Sequence, residues 1–262
     1  MVEPISLNEC DEVRKKELMT NVKKIQEEVQ NAAQGRNVRL VAVSKLKPAS
    51  DILGLYEGIQ HLHFGENYVS ELVEKAKLLP QDIKWHFIGA LQTNKCKILG
   101  SIPNLFAVET VDTIKKAEAL NKSRSQLSQT SCNPIAKLKI YIQINTSNEL
   151  NKSGIKVEQE SIEDTSELIL LSNYIKEDCE SLELSGLMTI GSFKESTTDS
   201  DFNEDFHRLI KIRNLLEDKI GIKPLGLSMG MSSDFSLAIR MGSDNVRVGS
   251  KIFGERPPFK PS

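Results

Sequence analysis

The hydrophobic positions of this chain switch period repeatedly, from helical spacing to short unbroken runs and back. Between Leu7 and Ala33, Val13, Leu18, Val22, Ile25 and Val29 recur three to five residues apart among charged neighbours, which predicts an amphipathic helix. Val38–Ser44 (VRLVAVS) is instead a short apolar run, the pattern of a strand buried on both faces of a parallel sheet. Further strand-like runs appear at His61–Phe64, Lys84–Ile88, Asn104–Val108, Leu138–Ile144, Leu182–Thr189, Leu225–Met229 and Asn245–Val248. Helical patterns lie between them, at Ala49–Glu57, Val69–Leu78, Lys95–Leu99, Asp112–Arg124, Val157–Ile175, Phe202–Lys219 and Phe235–Met241. Eight strands alternating with helices predict a closed, parallel (β/α)8 barrel preceded by one extra helix, with a doubly wound sheet as the alternative. The polar, acidic stretch Ser192–Asp205 reads as an exposed loop after the sixth strand.

Composition narrows this picture. A chain of 262 residues suits a single α/β barrel and buries enough surface to need no disulfide or metal. The net charge of −2 gives no basic field for nucleic acid or an anionic membrane. Cys10, Cys96, Cys132 and Cys179 are far apart, so neither a zinc site nor a redox pair is expected. The N-terminus lacks the apolar core of a signal peptide, and no apolar run has the length of a membrane span. The expected compartment is therefore the cytoplasm, with a mitochondrial fraction left open.

Chemistry in such barrels sits at the C-terminal ends of the strands. The first strand ends Ser44-Lys45-Leu46, and the period of two puts Lys45 on the face of Val41 and Val43. A desolvated lysine has a lowered pKa and can attack an aldehyde; a lysine that merely opens a loop into water is the plainer reading. The loops after strands seven and eight hold Ser228, Met231, Ser232, Gly249 and Ser250. Small residues, hydroxyls and helix starts at these two strands together suit a phosphate; ordinary small-residue turns with Ser or Asp caps are the plainer reading of either loop alone. Arg247, just inside the last strand end, needs a buried acceptor, either a ligand nitrogen or a carboxylate across the barrel. Asn67, His86 and Met188 occupy other strand ends, with ordinary core packing as the alternative for His86 and Met188. The pair His61 and His63 lacks a third ligand, so no metal is expected.

The segments AVSKLKPAS, FGENYVSELVEKA, WHFIGALQTNK, QINTSNELNKSGI, SGLMTIGS, LSMGMSSDF and VRVGSKIFGERP, in order, resemble the pyridoxal phosphate homeostasis proteins, barrel-only relatives of alanine racemase. The match runs from about Val38 to Pro257. Leu46 and Ser250 stand where many members have Thr, and the first 35 residues match poorly. The resemblance implies a barrel of the alanine racemase N-terminal-domain type over residues 36–262; residues 1–35, outside the resemblance, are expected from their helical spacing as an extension packed on it. It implies pyridoxal 5′-phosphate (PLP) as cofactor, held as a Schiff base on Lys45. It also implies phosphate contacts from Ser228, Ser232, Gly249 and Ser250, Arg247 at the pyridine nitrogen, and Asn67 near the ring. Lys152, Ser153 and Gly154 fall in the loop after strand five with no assigned role.

The expected function is storage, buffering or delivery of PLP without catalysis, with PLP and PLP-dependent client enzymes as partners. A PLP-dependent racemase is the alternative. Racemases of this kind add an all-β domain that supplies a tyrosine, whereas only Lys251–Ser262 follow the eighth strand here. That missing dimerisation surface makes a monomer the expected state. A class I aldolase-like barrel is a third reading, disfavoured because the sixth strand ends Met188-Thr189-Ile190-Gly191, without a lysine.

Overall fold

The computed structural model describes residues 10–157, 166–197, 200–222 and 224–255. Eight parallel strands close in chain order into a barrel. They are β1 (Arg39–Val43), β2 (His63–Glu66), β3 (Lys84–Phe87), β4 (Leu105–Val111), β5 (Leu138–Gln143), β6 (Leu182–Met188), β7 (Gly226–Ser228) and β8 (Asn245–Val248). The described helices are α1 (Glu12–Ala33), α2 (Ala49–Ile59), α3 (Val69–Leu78), α4 (Cys96–Gly100), α5 (Ile114–Thr130), α6 (Glu167–Glu177), α7 (Phe193–Thr197), α8 (Glu204–Ile220), α9 (Phe235–Arg240) and α10 (Ser250–Phe253). Closure is made by β1 against β8, with Val41 opposite Arg247 and Ala42 opposite Val248.

The extra helix forms because its sequence caps and stripes it. Asp11 Oδ1 accepts from the Val13 and Arg14 amides at 3.0 and 3.1 Å, satisfying two of the free N–H groups of the first turn. Leu18, Val22, Ile25, Val29 and Ala33 form its buried stripe, which packs against α2, α9 and α10. Each strand likewise turns alternate residues outward. Leu40, Ala42, Phe64, Phe87, Ile140, Ile142, Leu227, Val246 and Val248 join the helices in one continuous core.

The barrel interior is different. Gly65 leaves room for Val41, Val43 and Ile88, since a Cβ there would stand 2.9 Å from Val41 Cγ1. Much of the remaining interior is polar: His86, Glu109, Gln143, Ser228, Asn245 and Arg247 are all buried. A buried polar interior is tolerated only if its groups satisfy one another.

Two predicted elements need correction. Ser192–Asp205 is not wholly loop: α7 occupies Phe193–Thr197, and Asn203 and Asp205 are buried at the start of α8, where Asn203 Oδ1 caps the Phe206 amide. The helix expected over Val157–Ile175 begins at Glu167, with Val157 outside it; residues 158–165 lie outside the described set.

Beside β2, His61 and His63 lie close to one another, and the Nε2–H of His61 donates to the His63 carbonyl at 2.9 Å. Burial holds His61 down to about 4 and His63 to about 2, so both are neutral at pH 7. An unfolded histidine takes up its proton near pH 6.5. Between about pH 6.5 and 4 the unfolded chain therefore binds more protons at His61 than the folded chain, and stability falls as pH drops. Urea unfolding from pH 7.5 to 4.5 is expected to lose on the order of 3 kcal/mol through His61. His61→Gln should flatten that part of the profile.

Candidate functional site at the C-terminal mouth

The predicted residues divide into a mouth and a floor. Lys45, Asn67, Met231, Ser232 and Gly249 are half-buried where strands give way to loops, and Ser250 is exposed at the start of α10. His86, Met188, Ser228 and Arg247 are fully enclosed.

Sheet closure brings the mouth together. Gly249 lies against Val43, two residues before Lys45; a Cβ on Gly249 would stand 3.4 Å from the Val43 Cβ and carbonyl oxygen. The Gly249 amide donates to Ser232 Oγ at 3.2 Å, which joins the β8 loop to the β7 loop. The Arg247 amide donates to the Gly230 carbonyl at 3.1 Å. Gly230 has φ +95°, and a side chain there would meet Ala238 Cβ at 2.5 Å, so the loop needs glycine twice over. Asp234 Oδ1 accepts from the Met231 amide at 2.7 Å and holds the turn before α9. On the other side, the Ser44 amide donates to Gly65 O, placing the Lys45 loop beside the β2 end that carries Asn67. Asn67 Oδ1 is buried with no hydrogen-bond partner.

The floor is organised around Glu109, which the sequence reading did not single out. Its carboxylate accepts from His86 Nδ1 at 2.6 Å, from Ser228 Oγ at 2.5 Å, and from Asn245 Nδ2 at 3.2 and 3.3 Å. Burial would raise this carboxyl. The hydrogen bond from His86, the Arg247 charge and the Ser228 hydroxyl outweigh it and keep Glu109 below the usual carboxylate range. Burial pushes His86 down, so its ring is neutral; with Nδ1–H given to Glu109, its Nε2 accepts from His63 Nδ1 at 2.9 Å. Arg247 Nη1 donates to Ser228 Oγ at 2.5 Å and Nη2 to the Thr189 carbonyl at 2.7 Å, and its guanidinium stands 4.0 Å from Glu109 Oε2.

These contacts place Ser228 differently from the sequence expectation and give His86 the hydrogen-bonded interior setting that was its alternative reading. The Ser228 hydroxyl is engaged by Glu109, Arg247 and Asn245, so this structure sets it under Arg247 rather than toward the phosphate-type loops. Both His86 ring nitrogens are likewise engaged inside the barrel. Met188 packs with Ala107 and Tyr141 in the interior. Of the stretch Lys152-Ser153-Gly154, Lys152 and Ser153 acquire a place: they wall a cavity of about 210 Å³ above β3 to β6, with Thr110, Gln143 and Thr189 also lining it. Lys152 is tied there to Glu149 at 2.5 Å and to the Gly191 carbonyl at 2.6 Å. Among the described residues, no group of His, Cys, Asp and Glu is arranged to hold a metal ion, and no helix is long and apolar enough to cross a membrane.

Comparison with known proteins places this geometry. The sequence model of the alanine racemase N-terminal domain matches residues 13–257. The chain belongs to that family. Within it, the pyridoxal phosphate homeostasis protein of Schizosaccharomyces pombe is 48% identical over 238 residues, covering 91% of this chain and 92% of that one. The human protein of the same name is 45% identical over 225 residues, 83% of this chain and 76% of that one. The chain is thus a member of the pyridoxal phosphate homeostasis group. Among solved structures, PLP-bound PipY of Synechococcus elongatus has a TM-score of 0.70 at 26% identity, over 90% of this chain and all of that one. An alanine racemase of Clostridium difficile shares the fold, with a TM-score of 0.66 at 16% identity; the match spans 92% of this chain and 57% of the racemase.

Proposed function

We propose that this protein binds PLP as a Schiff base on Lys45 and serves PLP homeostasis in the cytoplasm by storage, buffering or delivery to PLP-dependent enzymes, without catalysing a reaction of its own. The observation that carries this reading is the meeting, at one barrel mouth, of the Lys45 strand end with the β7 and β8 loops, where Gly249 lies against Val43 and bonds Ser232.

The residues present fit a phosphorylated aldehyde. Lys45 supplies the amine. Ser232, Gly249 and Ser250 supply small side chains, hydroxyls and backbone N–H groups, which suit a dianionic phosphate. The unpartnered Asn67 Oδ1 is a buried acceptor that a ring hydroxyl would satisfy. Met231 would wall the site, with His86 and Met188 packed in the floor beneath it. Arg247 carries donors only, so facing the pyridine nitrogen it disfavours ring protonation. When bound, PLP supplies an electron sink for carbanions, and an unprotonated ring weakens that sink. The floor strengthens this point: Glu109 holds Arg247 as a cation while Ser228 and Thr189 fix its orientation.

A carrier must also lack the second acid–base group that racemisation needs. Tyr56 and Tyr174 lie on α2 and α6, Tyr141 is buried on β5 against Met188, and Tyr68, the one next to a mouth residue, Asn67, is exposed at the start of α3. Losing one positioned acid or base costs about 10²–10⁴-fold. PLP-loaded protein incubated with L-alanine in deuterated buffer is therefore expected to give only traces of D-product and α-deuterium. D-amino-acid formation at about 1 s⁻¹ or faster, an ordinary enzyme rate, would replace the carrier reading with a racemase.

A further inference from the structure

Behind the β1 end lies a second cluster of buried charge. Lys75, on α3, is fully buried, and its ammonium spends all three N–H groups on the Ser44 carbonyl at 2.9 Å, Glu66 Oε1 at 2.7 Å and Glu71 Oε1 at 2.6 Å. Glu66 Oε1 also accepts from Ser44 Oγ at 2.7 Å. Glu71 Oε1 also accepts from the Leu46 amide at 2.8 Å. The residue before Lys45 is thus fastened to Lys75 and Glu66 and the residue after it to Glu71, three side chains that are joined in one cluster. One position further on, Lys47 Nζ donates to the Phe253 and Glu255 carbonyls. Leu46 has φ +60°, a left-handed conformation that a leucine seldom adopts and that the surroundings must hold.

Buried ion clusters are poor sources of stability, because desolvation offsets most of their attraction. What such a cluster supplies is a defined geometry. Here that geometry is delivered to the backbone on both sides of a single residue. We propose that Lys75, Glu66 and Glu71 are positioning residues that set the backbone of Lys45, and that Glu71, through the Leu46 amide, holds the turn that aims the Lys45 amine into the mouth. The inference rests on Lys45 being the cofactor lysine, and its test separates the two claims.

Two substitutions at the rim of the cluster divide charge from geometry. Glu71→Gln loses the negative charge but keeps an oxygen able to accept from both Leu46 N–H and Lys75. Glu71→Ala loses both. The readouts are amide hydrogen exchange at Leu46, the rate of Schiff-base formation with PLP followed by absorbance, and thermal stability. Glu71→Ala is expected to speed Leu46 exchange and to slow Schiff-base formation, each by about tenfold or more, the scale of losing one charged hydrogen bond. Glu71→Gln should stay within about threefold of wild type on both, even where its melting temperature falls as far. Wild-type exchange and kinetics in Glu71→Ala, or equal losses in the two variants that track stability, would overturn the positioning role. Borohydride labelling of the wild-type protein at a lysine other than Lys45 would remove the proposed cofactor role instead, and Leu46 exchange would still decide whether the clamp exists.

Discussion

Lys45→Ala is expected to abolish borohydride-trappable PLP completely while leaving the barrel folded. The amine is the covalent partner in the proposed site, and no neighbouring group on β1 can replace it. Alternation along the strand gives the inward positions to Val41, Val43 and Lys45, so the nearest inward neighbours are aliphatic. The substitution removes a half-buried side chain at a loop start and opens no cavity in the packed core, so the change in stability should be about 1 kcal/mol or less. Circular dichroism and urea unfolding check the fold, and mass spectrometry after reduction checks the adduct. Weak residual PLP binding through the phosphate loops is compatible with this expectation; a reduced adduct at wild-type occupancy is not.

Arg247→Met is expected to have the largest effect on stability, lowering it by about 3–5 kcal/mol and weakening PLP retention by one to two decades. Burial depresses the Arg247 guanidinium, yet it remains the cation 4.0 Å from a buried carboxylate. Removing it strands the Glu109 charge and leaves the Thr189 carbonyl without its donor. The double variant Glu109→Gln/Arg247→Met should recover part of the stability, because the stranded charge goes too, while PLP retention stays low. Additive losses in urea unfolding would show that the two side chains do not act as a pair.

The barrel itself was legible because each strand is a short apolar run and each helix has its own period. All eight strands overlap their predicted positions, with β8 observed over the predicted Asn245–Val248. The mouth was legible for the same reason: Lys45, Ser232 and Gly249 follow strand ends, where chain order alone assigns them to one face. The floor was not. Glu109 lies beyond the predicted end of the fourth strand at Val108, but the ladder shifts register and β4 continues to Val111. The available signal was the period of two, which carries the inward face from Ala107 to Glu109. Lys75 was hidden differently. Glu71 and Lys75 are spaced i,i+4 in a charged helix, a pattern that usually marks a solvated ion pair. Only the approach of α3 to the β1 end turns that pair into a buried clamp.

The most direct test of the central claim is the absorbance spectrum of the purified, PLP-loaded protein before and after borohydride, followed by peptide mapping. The expected result is a visible Schiff-base band that borohydride removes, with the reduced cofactor on the peptide containing Lys45. The absence of any such band, or a label only on another lysine of the native protein, would contradict the account.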